Sequence, residues 1–298
     1  MEFKLNSDVK FILEQLNKNG TGFLVGGAIR DMILETDPGD YDFATDIDYR
    51  TLKKIFRDYN PKEVGAHFGI LMISVNGKEY EIAKFRQESG IYNSRYPKMI
   101  KFINNIDLDL ERRDFTINAL AYNEYTGLKD PYDGIHDIKN KVVRFVGNPK
   151  LRIEEDSLRI MRAFRFISKL GFELDRKASE AIYEKRKFLN KISKERIYNE
   201  IKEILLGKNA KKALMEMKRL GILELIIPEF KYSYNLYVGN ENLFNKIIRT
   251  VHFSDNDLVT RLSALFYNLG KVNTETIDTK GIISYEGYEK ESALIEEN

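Results

Sequence analysis

The character of the chain changes at Asn148-Pro149, and that break limits the fold more than any other feature. Residues 151–220 hold no proline and little apolar–polar alternation, while helical runs recur at 152–170, 176–187, 194–206 and 209–219. Ahead of the break the signals are mixed. Residues 8–18 have helical periodicity through Val9, Ile12, Leu13 and Leu16. Gly22–Val25 reads as a short apolar strand that stops at Gly26-Gly27, with a helix starting at Ala28-Ile29. Tyr41–Ala44 alternates like a second strand. Gly69–Val75 and Glu79–Ala83 are β-type runs around Asn76-Gly77, a strong hairpin signal. Residues 87–101, polar and broken by Gly and Pro, read as a loop, and Phe115–Ala121 as the start of another helix. These patterns predict an α+β chain: a mixed domain of about 140 residues, then an all-helical region.

A chain of 298 residues, 43% hydrophobic, can form one large domain or two to three small ones. Its formal net charge is only +2, but the charge is unevenly spread. From Lys139 to Arg219 there are 23 Lys/Arg against 11 Asp/Glu, a local +12, which leaves −10 for the remainder. A basic middle between acidic ends suits a local anionic partner. The competing reading is a set of helices with solvated charged faces. There is no cysteine, so disulfides and thiolate metal sites are excluded. The N-terminal segment MEFKLNSDVKFILEQL reads as an amphipathic helix with acids rather than a signal peptide. No apolar run approaches the roughly 18 residues of a membrane span. The expectation is a cytoplasmic protein with no membrane partner.

Three features carry chemistry. The first is the strand-to-helix junction Leu24-Val-Gly-Gly-Ala-Ile-Arg30-Asp31. Glycines let backbone N–H groups approach a phosphate, the helix start favours its charge, and Arg30 can reach the same anion. The spacing matches neither a P-loop nor a dinucleotide fingerprint, and a plain tight turn is the competing reading. The second is Asp40-Tyr-Asp42 on the next predicted strand, where residues i and i+2 share a face and the two carboxylates converge. Such a pair is costly on an apolar strand unless a cation neutralises it, and Mg2+ suits carboxylates combined with substrate phosphates. The third is Glu79 and Glu81 on the second hairpin strand. Glu81, between Tyr80 and Ile82, is the better third carboxylate, although a cross-strand salt bridge competes.

The run GGAIRD, then ten residues, then DYDFAT resembles the catalytic motif of nucleotidyltransferases related to DNA polymerase β. Within that superfamily the chain resembles the class II tRNA CCA-adding enzymes and bacterial poly(A) polymerases. Arg112-Arg-Asp-Phe-Thr-Ile-Asn-Ala119 resembles the second family motif, Asp130-Pro-Tyr-Asp-Gly134 the third, Glu155-Asp-Ser-Leu-Arg159 with Arg162 and Arg165 the nucleotide-reading motif, and Ser193-Lys-Glu-Arg-Ile197 with Glu200 the fifth. The resemblance implies a polymerase-β-like head with an antiparallel or mixed sheet over 1–145. A helical nucleotide-reading neck would follow over 146–208, and a helical body, HD-like but degenerate and truncated, over 209–298.

The implied reaction is addition of CMP and AMP from CTP and ATP to a tRNA 3′ end, with Mg2+ at Asp40 and Asp42 and Glu81 as the third catalytic carboxylate. Gly26, Gly27, Arg30 and Arg113 would bind phosphate, and Asp114 the ribose, with Asn118 a weaker ribose candidate or a brace. Asp156 and Arg159, i and i+3 on a predicted helix, would read the base edge shared by cytosine and adenine. Arg162 would assist; Arg165, half a turn away, fits less well. The segment Arg86–Pro97 resembles the loop that family members need for the final A. It departs mildly from the pattern at Asn93-Ser94 and Tyr96. An A-adding enzyme or poly(A) polymerase is the runner-up, and a catalytically silent RNA-binding protein the reading from another class. Arg261–Lys271 resembles the start of an HD phosphohydrolase segment, but Tyr267, Asn268 and Tyr288 stand where His, Asp and His belong, so a structural role is expected.

Overall fold

The computed structural model describes residues 2–65, 68–90 and 99–297. They form two compact units, Met1–Asp156 and Ser157–Asn298. In chain order the first unit holds α1 (Ser7–Asn19), β1 (Gly22–Val25), α2 (Gly27–Ile33), β2 (Asp42–Thr45), α3 (Tyr49–Ile55), β3 (Lys62–Gly65), β4 (Ile70–Val75) and β5 (Lys78–Lys84). It continues with β6 (Arg86–Ser89), β7 (Met99–Phe102), α4 (Ile106–Glu111), β8 (Ala121–Asn123), β9 (Gly127–Lys129), α5 (Gly134–Asn140) and α6 (Pro149–Glu155).

Seven strands form one mixed sheet in the order β3-β4-β5-β2-β1-β8-β9. Only β2 and β5 run parallel; the other neighbours are antiparallel. The β4–β5 turn is the Asn76-Gly77 pair, both left-handed (φ 50° and 78°), the conformation a tight hairpin needs. Helix α1 is capped by the Asn6 side chain, which accepts from the Val9 N–H. Its stripe of Val9, Ile12, Leu13 and Leu16 is fully buried, each aliphatic side chain contributing about 1.5–3 kcal/mol. The helix lies so close to β1 that a Cβ on Gly22 would sit 2.4 Å from that of Leu16. Asp8 ties α1 to the hairpin by accepting from the Asn76 side chain (2.7 Å) and the Tyr80 hydroxyl (3.0 Å). A second core gathers Phe23, Val25, Ala44 and Ala121 with Phe85, Ile106, Leu110 and Val146.

Three segments differ from the sequence expectations. Residues 87–101 are not simply a loop: β6 and β7 pair antiparallel, from Arg86↔Phe102 to Ser89↔Met99. Residues 91–98, with Arg95 and Tyr96, lie outside the described residues. Phe115–Ala121 does not start a helix but makes one 3-10 turn, Thr116–Asn118, before β8. The Thr116 N–H is taken by the distant Arg144 carbonyl (2.9 Å), which draws the chain away from a helical path. The helix expected over 152–170 is broken. Asp156 is extended (φ −147°, ψ 104°), at an Asp-Ser pair whose side chains compete for the backbone.

The second unit is mostly helical, with α7 (Arg159–Leu170), α8 (Arg176–Lys185), α9 (Lys194–Leu206) and α10 (Ala210–Arg219), then Leu243–Phe253, Leu258–Phe266 and Tyr288–Glu297. Two short ribbons, Tyr237–Val238 with Glu241–Asn242 and Thr276–Ile277 with Ile283–Ser284, interrupt the helical pattern. Helices α7 and α9 meet at Ser168, whose Oγ donates to the Ile204 carbonyl (2.6 Å).

Candidate active site

The sheet register assembles the acidic side of the site. Asp42, the first residue of β2, is the cross-strand partner of Val25 on β1 and of Glu81 on β5, so the two carboxylates share one face. Asp40 stands two residues ahead of β2, just outside the strand expected to carry it. Asp42 is open to solvent at its surface yet crowded by protein. That burial pushes its carboxyl up, the Arg113 guanidinium pulls it down, the Asp40 charge pushes it up, and the net direction is upward. Glu81 is raised too, by burial and then by the Asp42 charge, against the pull of Arg86, Arg112 and Arg113. Burial is the main reason both carboxyls are raised, so holding both charged is costly, and an added cation would relieve that cost. Among the described residues no three His, Asp or Glu side chains form a ready-made metal cage, so Glu81 does not complete one with Asp40 and Asp42. Glu79 is drawn off to Lys62 (2.7 Å) in the cross-strand salt bridge that was its alternative reading.

The glycine turn stands next to these acids. Gly26, paired by its N–H to the Leu120 carbonyl (3.0 Å), has φ 74° and ψ −128°, a conformation reserved for glycine. A Cβ there would come within 2.9 Å of Arg113 Nη1. Helix α2 begins at Gly27. Arg30, expected to bind phosphate, is 3% exposed and turned inward. Its Nε and Nη2 donate to Asp31 Oδ1 (2.8 and 2.7 Å), and Nη1 donates to Asn118 Oδ1 (2.6 Å). The direct phosphate contact is thus corrected: a buried, engaged guanidinium braces the turn. Asn118 in turn donates to Asp114 Oδ1 (3.3 Å), which also accepts from the Phe115 N–H (2.8 Å). The first and second sequence motifs are joined through this network. The third motif closes on the second, because a Cβ on Gly134 would lie 2.3 Å from the Thr116 carbonyl oxygen.

Arg113 is half-buried against Gly26, and among the described residues its contacts are long ones, to the Asn118 carbonyl and to Asp109 Oδ2, each 3.5 Å. Its Nε is buried without a hydrogen-bond partner. Sequence reasoning missed Asp109, which is 0% exposed. The signal was available in the spacing: an acid three and four residues ahead of two arginines, the separation at which such pairs meet on a helix.

In the first unit Asp156 terminates α6, while in the second Arg159 opens α7 and is largely buried. They do not lie at i and i+3 of one helix, because the helix breaks between them. Arg162 is half-buried on α7. Arg165 lies 3.5 Å from Glu200 of α9, with its guanidinium over the Phe166 ring, and so joins two helices. Further along, the Tyr288 hydroxyl donates to that of Tyr267 (3.0 Å), and Ser292 Oγ donates to the Tyr267 carbonyl (2.8 Å). The two tyrosines standing at expected ligand positions pack on each other.

Residues 22–144 match the family described as "Poly A polymerase head domain", and residues 171–233 the one described as "Probable RNA and SrmB- binding site of polymerase A". The CCA-adding enzyme of Lactobacillus delbrueckii subsp. bulgaricus is 40% identical over 214 residues, 72% of this chain and 54% of its own. Among solved structures, the Bacillus stearothermophilus CCA-adding enzyme in complex with CTP superposes with a TM-score of 0.70 at 29% identity, covering 90% of this chain and 62% of that one. A tRNA nucleotidyltransferase complexed with a primer tRNA and an incoming ATP analog gives 0.61 at 27% identity, covering 77% and 62%. The chain spans about half the length of the curated relatives it matches.

Proposed function

Because the chain belongs to the family of poly(A) polymerases and CCA-adding enzymes, we propose that it adds CMP and AMP from CTP and ATP to the 3′ end of tRNA without a template. The observation that carries this reading is the Asp40/Asp42 pair beside the Gly26 turn, with Arg113 against that turn. In the reaction the tRNA 3′-oxygen forms a bond to the α-phosphorus, the bond from that phosphorus to the β-phosphate oxygen breaks, and pyrophosphate leaves.

Asp40 and Asp42 are the residues that would hold Mg2+. The donor set fits: hard carboxylate oxygens, Asp42 among them crowded by protein yet open to solvent, of the kind Mg2+ takes together with substrate phosphate oxygens. When bound, Mg2+ supplies Lewis acidity toward the 3′-hydroxyl and the leaving phosphate, in the two-metal manner. Glu81 adds negative charge opposite Asp42. The Arg113 guanidinium, whose Nη groups make only 3.5 Å contacts among the described residues, donates to the triphosphate, and Asp114 accepts from the ribose. Gly26 and Gly27 allow the phosphates to approach the backbone. Arg30 is a positioning residue that holds the turn through Asp31 and Asn118.

By motif identity base choice falls to Asp156, Arg159 and Arg162, while Arg165 braces the helices through Glu200. A carboxylate accepts from the exocyclic amine of cytosine or adenine, and a guanidinium donates to the adjacent ring nitrogen. Uracil and guanine present a carbonyl where the amine would be. This argument rests on base-edge chemistry and motif identity, not on helical spacing. Division of labour into a catalytic head (1–145), a reading neck (146–208) and a body (209–298) goes with the same reading.

The test uses tRNAs ending in the discriminator base, in C and in CC, each incubated with Mg2+ and one labelled nucleotide. Incorporation of CTP on the first two and ATP on the third supports CCA addition. Long A tails on every substrate would instead identify a poly(A) polymerase.

A further inference from the structure

Asp109, on α4, is a fully buried carboxylate that touches three cationic or polar groups at once. Its Oδ1 accepts from the Arg86 backbone N–H (3.0 Å) and from Arg112 Nε and Nη2 (3.0 and 2.8 Å). Its Oδ2 faces Arg113 Nη2 at 3.5 Å. Arg86 is the first residue of the β6–β7 hairpin and is held from both sides, because Arg112 Nε also donates to its carbonyl (3.2 Å). Glu88, two residues further along β6, accepts from Arg86 Nε (2.8 Å) and lies 3.4 Å from Arg112 Nη1. The root of the hairpin and the two motif arginines therefore share one anion.

The geometry points to Asp109 as a positioning residue that holds Arg113 against the Gly26 turn and, through the same carboxylate, anchors the β6–β7 hairpin to the nucleotide site. Among the described residues Arg113 makes no strong hydrogen bond; both its contacts are 3.5 Å long and its Nε has no partner. Its place rests on packing and on nearby carboxylates, of which Asp109 exerts the largest pull. Without the Asp109 charge, the weaker pull of Asp42 and Asp114 would be left to hold Arg113 against the Arg112 charge, and Arg113 would be freed to leave the turn. Asp109 remains ionised although buried: burial raises its carboxyl, but Arg112 and Arg113 bring the net direction below the ordinary carboxylate range. The inference concerns Arg113 as a triphosphate contact, and so rests on the proposed function.

Two readouts separate the inference from that function. The first needs no activity. Arginine Nε–Hε NMR spectra, with Arg113→Lys to assign the signal, should show a slowly exchanging Arg113 Nε–H in the full chain. In Asp109→Asn that protection should be lost while the far-ultraviolet dichroism is unchanged. An unaltered Arg113 signal would overturn the inference whether or not the chain adds nucleotides. The second is the CTP KM in a double-mutant cycle of Asp109→Asn with Arg113→Ala. Each single change should raise KM about tenfold or more, the scale of a lost charge-assisted hydrogen bond, with little further rise in the double variant. Additive effects would show that Asp109 does not act through Arg113. Should Asp109→Asn not fold, Asp109→Glu takes its place in both measurements. It keeps the charge but displaces both oxygens by a methylene, and the same loss of protection and non-additivity are required.

Discussion

Replacing Gly26 by alanine perturbs both the backbone and the site, and the structure separates the two effects. At φ 74° and ψ −128° an L-residue is strained, at a cost of about 1–3 kcal/mol. The new Cβ would also lie 2.9 Å from Arg113 Nη1. That atom ends a long side chain with only 3.5 Å contacts, so it yields at small steric cost. Stability thus falls by the backbone strain alone, roughly 3–10 °C in Tm for a domain of this size. Function falls by displacement of Arg113: a lost charge-assisted contact to the triphosphate raises the CTP KM about ten- to hundredfold. Gly77→Ala is the control. Its φ of 78° carries a similar kind of penalty, about 1–2 kcal/mol, but no atom lies within 4 Å of the added Cβ. It should lower Tm and leave KM alone. Thermal melts and steady-state incorporation on the full chain read both effects. A Gly26→Ala protein that loses stability yet keeps the parent KM would refute the role given to Arg113 at the turn.

Asp156→Ala should relax selection against UTP and GTP by about ten- to hundredfold, the 1–3 kcal/mol of a good base-edge contact, with a smaller effect on triphosphate binding; single-nucleotide incorporation assays would show it, and unchanged selectivity would move base reading elsewhere. The Tyr80 hydroxyl, buried and donating to Asp8, is pushed up to about 12. The folded chain then holds this proton more tightly than the unfolded one, so stability is full below about pH 10 and is lost as pH rises toward 12. Denaturant titrations should show Tyr80→Phe losing less stability than the parent between those values, and parallel losses would contradict the assignment. The packed Tyr267–Tyr288 pair should give no metal-dependent phosphodiesterase activity, which a chromogenic phosphodiester assay can check.

Legibility in the sequence followed the range of the interactions. The Asn76-Gly77 hairpin was readable because its signal is local: two β-type runs and a pair that tolerates positive φ. The face carrying Asp42 and Glu81 followed from alternation, but their pairing did not, since β2 and β5 are parallel and joined by a long crossover. Short apolar runs such as Phe115–Ala121 fit helix or strand equally, and a distant carbonyl at Arg144 decided the outcome. Arg30 looked like a phosphate ligand because its partner Asn118 lies 88 residues away in the chain. The break after Glu155 was marked only by the weak helix propensity of Asp156-Ser157, outweighed in the reading by apolar periodicity on either side.

The central claim is that Asp40 and Asp42 carry nucleotidyl transfer, and the most direct test measures CTP incorporation into a tRNA lacking its CCA end, in Mg2+, by the parent chain, Asp40→Ala and Asp42→Ala. Loss of the several kcal/mol of transition-state stabilisation drawn from a metal site amounts to at least about a hundredfold in rate. Asp40→Ala removes a like charge beside Asp42, and Asp42→Ala removes a carboxylate whose burial cost outweighs its attraction to Arg113, so Tm should hold or rise. The account predicts a folded protein with incorporation reduced at least that far in both variants. Parent-like incorporation by either folded variant would contradict it.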